Sequence, residues 1–486
     1  MFAITKKNKK MFTNIPKHGL IILSNKQLGG IIVNEINNTL EELKTQAHHC
    51  INDIVGRSGQ ELQESARIYG ALVRLREVKD AKLLLQLLLI YAISDMSQKM
   101  MSLCGYLIGA GNISDQAWDK KIKNSGAWIC FLLNESLIKA TPTHLAFYHY
   151  GNQMQVYLLD ASTLKQVGAK GQELRVHMCY NLTKGAMEEV IVTDNHTAES
   201  AKTFKIQPGH LYIADAGYGK GKNLAQVISQ KGNALFRFTP NLVSLSSDAE
   251  GKLKINMAEK LKTKKQLVKF TCYIHTEKGR YIPVQIIASR LPDDKALLAR
   301  ERKMRNSSKK QTKLKDETLV YAGWVLLMTN LDSSHSAESL LHLYRSRWQI
   351  ELLFKRIKQF FKVRRLRKAT LGHSKVLVLL LLLIWAFIER KTISAEIYLL
   401  NKEEELIRYS LWSMTELFFA RFKVQIQAFW VFCFDEAQHL DDAFRFLRNH
   451  RRKPRRINQY AVYRFGIDSR TNSECSYSAS CYPLAA

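Results

Sequence analysis

Three acids in this chain sit where phosphate-ester chemistry could use them. Asp160 closes the apolar run Gln153–Leu159, and Asp215 follows the compact segment His210–Ala214. Glu351 stands alone among bases: residues 344–368 hold ten Lys or Arg and one acid. A few carboxylates can hold two Mg²⁺ ions, one activating the attacking oxygen of a phosphodiester cleavage and the other stabilising the leaving oxygen. Mg²⁺ takes hard oxygen ligands and keeps several waters, so three carboxylates can suffice, with Mn²⁺ as a substitute. On a helix at about 100° per residue, Tyr344, Arg347, Glu351 and Lys358 fall within roughly a 60° arc. Leu353, Ile357, Phe360 and Phe361 gather opposite, which makes 344–358 an amphipathic helix with a polar stripe. The plain alternatives are a solvated basic helix with Glu351 paired to Lys355, and turn or cap duty for each aspartate.

Elements that could position these acids surround them. Gln153–Leu159, Leu174–Tyr180 and Glu188–Val192 read as strands, with a short helix near Thr197. His210–Ala214 is a fourth strand, Lys222–Gln230 a helix and Ala234–Phe238 a fifth strand. Three hairpin-like strands followed by helix, strand, helix and strand predict a ribonuclease-H-like α/β core. Both aspartates then stand at carboxyl ends of strands, where α/β sheets place their sites. Residues 241–330 interrupt the core with a basic β-rich segment, whose strands are Leu267–His275, Tyr281–Ser289 and Leu319–Thr329. Arg300–Lys315, dense in Lys and Arg, reads as a mobile loop that follows a phosphate backbone. The second part of the core, 331–395, carries the Glu351 helix and the buried helix Val376–Ile388.

The flanks are helical. In 1–150, Leu83–Ile93 suits a buried helix. Ser94–Leu107 and Ser114–Lys123, separated by Gly109-Ala110-Gly111-Asn112, form either a helix-turn-helix or a bundle that only packs on the core. Residues 396–486 carry aromatic-rich helices at Tyr409–Phe422 and Phe429–Phe434, a basic block at His450–Arg456 and a polar tail expected to be disordered.

Composition narrows the partner. At 486 residues the chain can form two or three domains, and its net charge of +30 attracts polyanions, nucleic acid first among them. A membrane surface is the rival, but no strongly amphipathic basic helix stands free of the core. Thirteen apolar residues at Val376–Ile388 are too few to cross a bilayer. The eight cysteines are scattered without a CxxC pair, which indicates neither a disulfide framework nor a zinc knuckle and fits a reducing cytoplasm. Met1–Lys10 is basic, with no apolar signal core after it.

The spacing Tyr344-x2-Arg347-x3-Glu351-x6-Lys358 resembles the YREK signature of bacterial DDE transposases of the insertion-sequence-four type. Ala214-Asp215-Ala216-Gly217-Tyr218-Gly219 is similar to that family's second-aspartate box. Leu159-Asp160-Ala161-Ser162 with the downstream Arg175-Val176-His177 resembles its first. The resemblance covers about 150–390 and includes the long β-rich insertion. It implies Asp160, Asp215 and Glu351 as catalytic metal ligands, and Tyr344, Arg347 and Lys358 as grips on phosphates. It further implies Trp324 as a platform for a flipped base and Arg237 as a DNA contact, although a core Trp and a surface Arg remain open for these two. His177 reads as a sheet histidine, not a ligand. The implied activity is cut-and-paste transposition, in which terminal inverted repeats are cleaved, with a hairpin step, and joined to target double-stranded DNA by a homodimer. A non-catalytic DNA-binding regulator, or a ribonuclease-H-like nuclease without strand transfer, are the alternatives.

Overall fold

The computed structural model describes residues 51–75, 77–94, 96–138, 154–165, 173–276, 279–361, 369–402 and 411–432. The basic block at 450–456 and the tail lie outside the described residues.

One sheet of nine strands organises the described chain: β1 Val156–Lys165, β2 Glu173–Asn181, β3 Ala186–Asp194, β4 Leu211–Ala214, β5 Asn233–Arg237, β6 Leu245–Ser246, β7 Leu267–His275, β8 Tyr281–Arg290 and β9 Trp324–Thr329. Their order is β3-β2-β1-β4-β5-β9-β8-β7-β6. β1, β2 and β3 form an antiparallel meander, and β4 and β5 join β1 in parallel. The order 3-2-1-4-5 with these directions is the ribonuclease-H-like arrangement that the sequence predicts. Strands of the β-rich segment continue the same sheet, because β9 pairs antiparallel with β5 and β8 with β9.

Among the described residues, the helices before the sheet include α1 Gly59–Ile68, α2 Ala81–Ile93, α3 Gln98–Leu107, α4 Asp115–Asn124 and α5 Gly126–Ile138. Along the rest of the chain run α6 Gly221–Ser229, α7 Met257–Lys260, α8 Asp293–Lys309, α9 Asp316–Ala322, α10 Ala337–Arg345, α11 Trp348–Phe360, α12 Leu371–Lys402 and α13 Leu411–Phe432. Local chemistry sets several starts. Ser114 caps α4 by accepting from the Ala117 N–H at 3.3 Å, as its position predicts. Ser97, not Ser94, caps α3.

Period-two alternation divides the core into two layers. Leu158, Ile213 and Leu235 face α10, α11, α12 and the N-terminal helices, whereas Leu159, Ala214 and Phe236 face α6 and the strands beyond. α12 fills the first layer. At 32 residues it is far longer than the thirteen-residue run that marks it in the sequence, and residues 376–388 are all buried. Its Leu371–Ala395 stretch is long and apolar enough to cross a membrane by length and composition, but 83% of that apolar window is covered by protein. Its first turn is also tied to the N-terminal helices: His373 Nδ1 meets Asp119 Oδ1 at 2.8 Å and its Nε2 meets the Tyr91 hydroxyl at 3.2 Å. α4 therefore turns Asp119, Trp118 and Ile122 inward and leaves Lys120 exposed.

Four expectations are corrected. β1 continues to Lys165, so Asp160 lies within a strand and not at its end. Arg300–Lys315 is a loop only over 310–315, since α8 runs to Lys309. Leu319–Thr329 is not one strand, because Asp316–Ala322 is helical and only Trp324–Thr329 pairs. The described parts of the two aromatic-rich C-terminal stretches, 411–422 and 429–432, belong to one helix, Leu411–Phe432.

Because α12 is the central buried pillar, Leu383→Ala should lower unfolding free energy by about 2–5 kcal/mol in urea titrations. Leu417→Ala, on the exposed side of α13, should change it by less than about 0.5 kcal/mol.

Candidate active site

Asp160 and Asp215 are brought together by strand register. Leu159 of β1 is level with Ala214 of β4; Asp160 is the next residue of β1 and Asp215 directly follows β4. Adjacent strands lie about 4.8 Å apart. Alternation turns both aspartates to the face covered by α11, opposite to Leu159 and Ala214. α11 lies on that face through Ile350, Leu353, Phe354 and Ile357, all buried in the first layer. The sequence predicts one unbroken helix over 344–358. The structure instead ends α10 at Arg345 and begins α11 at Trp348. Between them, Ser346, Arg347, Gln349 and Ile350 donate to carbonyls three residues back, at 2.9–3.3 Å. Such a tightened turn advances by about 120° per residue, and the Arg347 and Glu351 side chains still meet across it.

Arg347 occupies the centre. Its Nη2 donates to Glu351 Oε1 at 2.5 Å, and its Nη1 is 4.0 Å from Asp160 Oδ2, with the side chain only 12% exposed. Its guanidinium carbon also stands 5.8 Å from the centre of the Tyr344 ring. The Nε and Nη1 groups of Arg347 are buried without a hydrogen-bond partner. Donors left in that state are costly unless an anionic guest uses them.

Burial pushes the Asp160 carboxyl up to about 6, against the Ala161 N–H and Arg347, which favour the charged form; the Glu199 and Asp215 charges add to the rise. The Ala161 N–H donates to Asp160 Oδ1 at 2.8 Å. Burial likewise pushes the Tyr344 hydroxyl up to about 12; Arg347 opposes this, the Asp215 charge adds to it, and Arg237 opposes it further. The hydroxyl therefore stays protonated at neutral pH.

An open cleft of about 480 Å³ runs along this edge, lined by Asp160, Ser162, Thr163, Lys165, Glu351 and Lys358 among others. The Lys358 ammonium donates to the Thr163 carbonyl at 3.3 Å, which holds it over β1 beside Asp160. Asp160, Glu351, Arg347 and Lys358 are thus brought to one cleft and its wall. The hard carboxylate oxygens of Asp160, Asp215 and Glu351 suit Mg²⁺ or Mn²⁺ in kind. Among the described residues, however, no three Asp, Glu, His or Cys side chains converge as an ion-holding group, and Glu351 is turned to Arg347.

The other predicted residues lie further along the same edge. Arg237 ends β5 with its side chain exposed, and it pairs with Leu327 of β9. Trp324 begins β9 and is 6% exposed, so most of its ring is core. The remainder lines a second cleft, of about 370 Å³, with Lys262, Lys264, Arg290 and Arg300. His177 is buried in the sheet with Nε2 2.9 Å from the Thr193 hydroxyl, and burial lowers it to about 4.

Glu199 is a nearby acid that the sequence does not single out. Its carboxylate lies so close over Gly217 that a Cβ there would collide with it. The next residues are pinned, because the Ser200 hydroxyl and Ala201 N–H both donate to Asn223 Oδ1, and Asn223 donates to the Tyr218 carbonyl. Only the fold places Glu199 beside the Asp215 loop; spacing carries no signal for it.

A model of the transposase DDE domain matches residues 151–387. The putative transposase InsL of insertion sequence element IS186A, from Escherichia coli (strain K12), is 31% identical over 317 residues, which is 63% of this chain and 84% of that protein. The transposase of insertion sequence element IS421, from Escherichia coli, is 30% identical over 318 residues, with the same two coverages. Among solved structures, a piggyBac transposase synaptic complex with hairpin DNA aligns with 82% of this chain and 85% of its own, at 11% identity and a TM-score of 0.41, a likeness too slight to bear on this chain. The matched region spans the two aspartates, the β-rich segment and the α11 helix, and with relatives at this identity and coverage the chain belongs to the DDE transposases of insertion sequences.

Proposed function

We propose that this transposase is of the insertion-sequence-four type and moves DNA by cut-and-paste, using Asp160, Asp215 and Glu351 as its catalytic carboxylates. The observation that carries this reading is the placement of two aspartates on neighbouring parallel strands beneath the helix that bears Arg347 and Glu351. Two Mg²⁺ ions, held by Asp160, Asp215 and Glu351, would supply Lewis acidity for in-line displacement at phosphorus. Glu351 would have to turn from Arg347 toward the aspartates to join such a set.

The chain's own residues then have distinct tasks. The Nε–H and Nη1–H of Arg347, which carry no hydrogen bond, and the ammonium of Lys358 grip non-bridging phosphate oxygens at the wall of the cleft, while the protonated Tyr344 hydroxyl donates to a neighbouring phosphate. Water attack on phosphorus breaks the bond to the 3′ oxygen and leaves a 3′-hydroxyl. That hydroxyl can attack the opposite strand to give a hairpin, and the reopened end can attack target DNA in turn. Trp324 offers its ring edge to an unstacked base, and Arg237 contacts the backbone between the two clefts. Two terminal inverted repeats must be cut together, which calls for a homodimer on DNA.

Three predictions follow from this geometry. Asp160→Asn, Asp215→Asn or Glu351→Gln should keep binding to a duplex from the element's border and lose nicking in Mg²⁺. Unimpaired nicking by any of them removes that residue from the site, and joining by pre-cut ends separates a transposase from a simple nuclease. Arg347→Ala and Lys358→Ala should each make the salt dependence of binding shallower by about 0.9 in log–log slope, read by anisotropy. An unaltered slope refutes the phosphate grip. Finally, the Asp160 carboxyl titrates near 6 in the folded protein, above its ordinary value of 3.8, so its burial as an anion weakens the metal-free fold as pH rises from about 4 through 6. Asp160→Asn should therefore stabilise the metal-free protein at pH 8 by up to roughly 2–3 kcal/mol, with the gain vanishing near pH 4. Chemical denaturation in chelator at both pH values measures it, and an equal effect at both refutes the assignment.

A further inference from the structure

α8 is an exposed basic arm rooted on the catalytic edge of the sheet. Its roots are fixed by register. Leu159, Ala214, Phe236, Met328 and Ile286 are level across β1, β4, β5, β9 and β8. Asp160, Asp215 and Arg237 each lie one residue further toward the same edge. β8 leaves the sheet at that edge, at Arg290, and β9 enters there at the paired Trp324. Everything between them, α8 and α9, therefore springs from the edge that holds the aspartates, three strand spacings or about 14 Å from β1 to β9.

The arm is built to stand out. Only Ala296 of α8 is buried, and the Arg300 Nε–H donates to the Leu319 carbonyl of the returning α9 at 3.3 Å. The tip closes through Gln311, whose φ is +52°, and through the Thr312 N–H donating to the Ser307 carbonyl at 3.1 Å. At about 100° per residue, Lys295, Arg302, Arg305 and Lys309 fall within roughly an 80° arc, opposite to Ala296 and Arg300. All four are exposed. Their acid partners are sparse: Lys295 meets Asp294 at 3.5 Å, and Arg305 meets Glu301 at a loose 3.9 Å on the surface. The stripe is about 21 Å long, a length over which duplex DNA presents about a dozen phosphate charges. The cleft of Lys262, Lys264, Arg290 and Arg300 lies at the root of the arm, on the Ala296 side of α8.

An exposed charged helix is most often only solvated. Two features separate this one: only Ala296 of it is buried, and four of its six Lys and Arg lie on the side away from Ala296, with Arg300 and Lys303 on the other. We infer that the outer face of α8 grips the phosphate backbone of the same DNA duplex whose end lies at the carboxylates, a short way along from the cleaved bond. This rests on the proposed function for the identity of that duplex, whereas the charge and placement of α8 do not depend on it.

The test uses the full chain with Arg302→Ala, Arg305→Ala and Lys309→Ala combined, and a fluorescent 30-bp duplex taken from the DNA bordering the coding region. Anisotropy is followed from about 50 to 200 mM salt. The triple variant should lose about 2 to 3 in log–log salt slope, while Lys205→Gln with Lys231→Gln, at the opposite edge of the sheet, should lose none. These side chains are exposed, so melting should be unaltered; single Arg305→Gln, expected to lose about 1, stands in if the triple variant does not fold. An unchanged slope in the α8 variants, or an equal loss in the control, overturns the proposal. So does a defect confined to joining with a second duplex, which would assign α8 to target DNA. Loss of slope by the α8 variants together with absence of Mg²⁺-dependent nicking by the unaltered chain would sink the proposed function and leave the arm's role standing.

Discussion

Arg347 is the charge on which the site depends. Asp160, Asp215 and Glu351 are drawn toward one edge by a sheet and a helix that pack for apolar reasons, and like charges so placed repel one another. The guanidinium bonds to Glu351, stands near Asp160 and feels the charge of Asp215. Its planar fork holds its donors in a fixed geometry, one of them on Glu351 and another facing Asp160. Even so, burial outweighs it at Asp160, whose carboxyl remains well above the ordinary range. The cluster is thus a place where the fold sustains a buried, unfavourably placed charge.

That cost is sustained by the layer behind it. α12 supplies a continuous buried surface from Val376 to Ile388, against which α5, α13 and β3 are packed. α11 in turn is held by Ile350, Leu353, Phe354 and Ile357 in the same layer. The helix that bears Arg347 and Glu351 can therefore present them to β1 without shifting. The His373, Asp119 and Tyr91 contacts anchor the N-terminal helices to the same pillar.

Positive charge is distributed to match. Lys358 and Lys165 border the first cleft, and Lys262, Lys264, Arg290 and Arg300 border the second. α8 extends the field outward from there. A long polyanion passing the aspartates would meet bases on both sides of them, which gives the net charge of +30 a spatial meaning that composition lacks.

Much of this could be read from residues alone. Strong local signals named β2, β4, β5, β7, α2 and the apolar heart of α12, because alternation and unbroken apolar runs dictate burial before any partner is known. The spacing from Tyr344 to Lys358 singled out the polar face of α11 for the same reason. Other features needed the fold. Nothing local tells a strand to continue past Asp160, since β1 is prolonged by pairing with β2 as far as Lys165 and Glu173. A run of bases such as Arg300–Lys315 reads as loop until the returning α9 gives it something to pack on. Glu199 comes to the Asp215 loop through the tertiary contacts of its segment, among them the Asn223 bonds to Ser200 and to the Tyr218 carbonyl. Sequence determined which residues could carry charge or fill a core, since those are properties of single side chains and their period. Tertiary structure decided which of them meet, since register across the sheet and the turn at Arg347 join residues nearly two hundred positions apart.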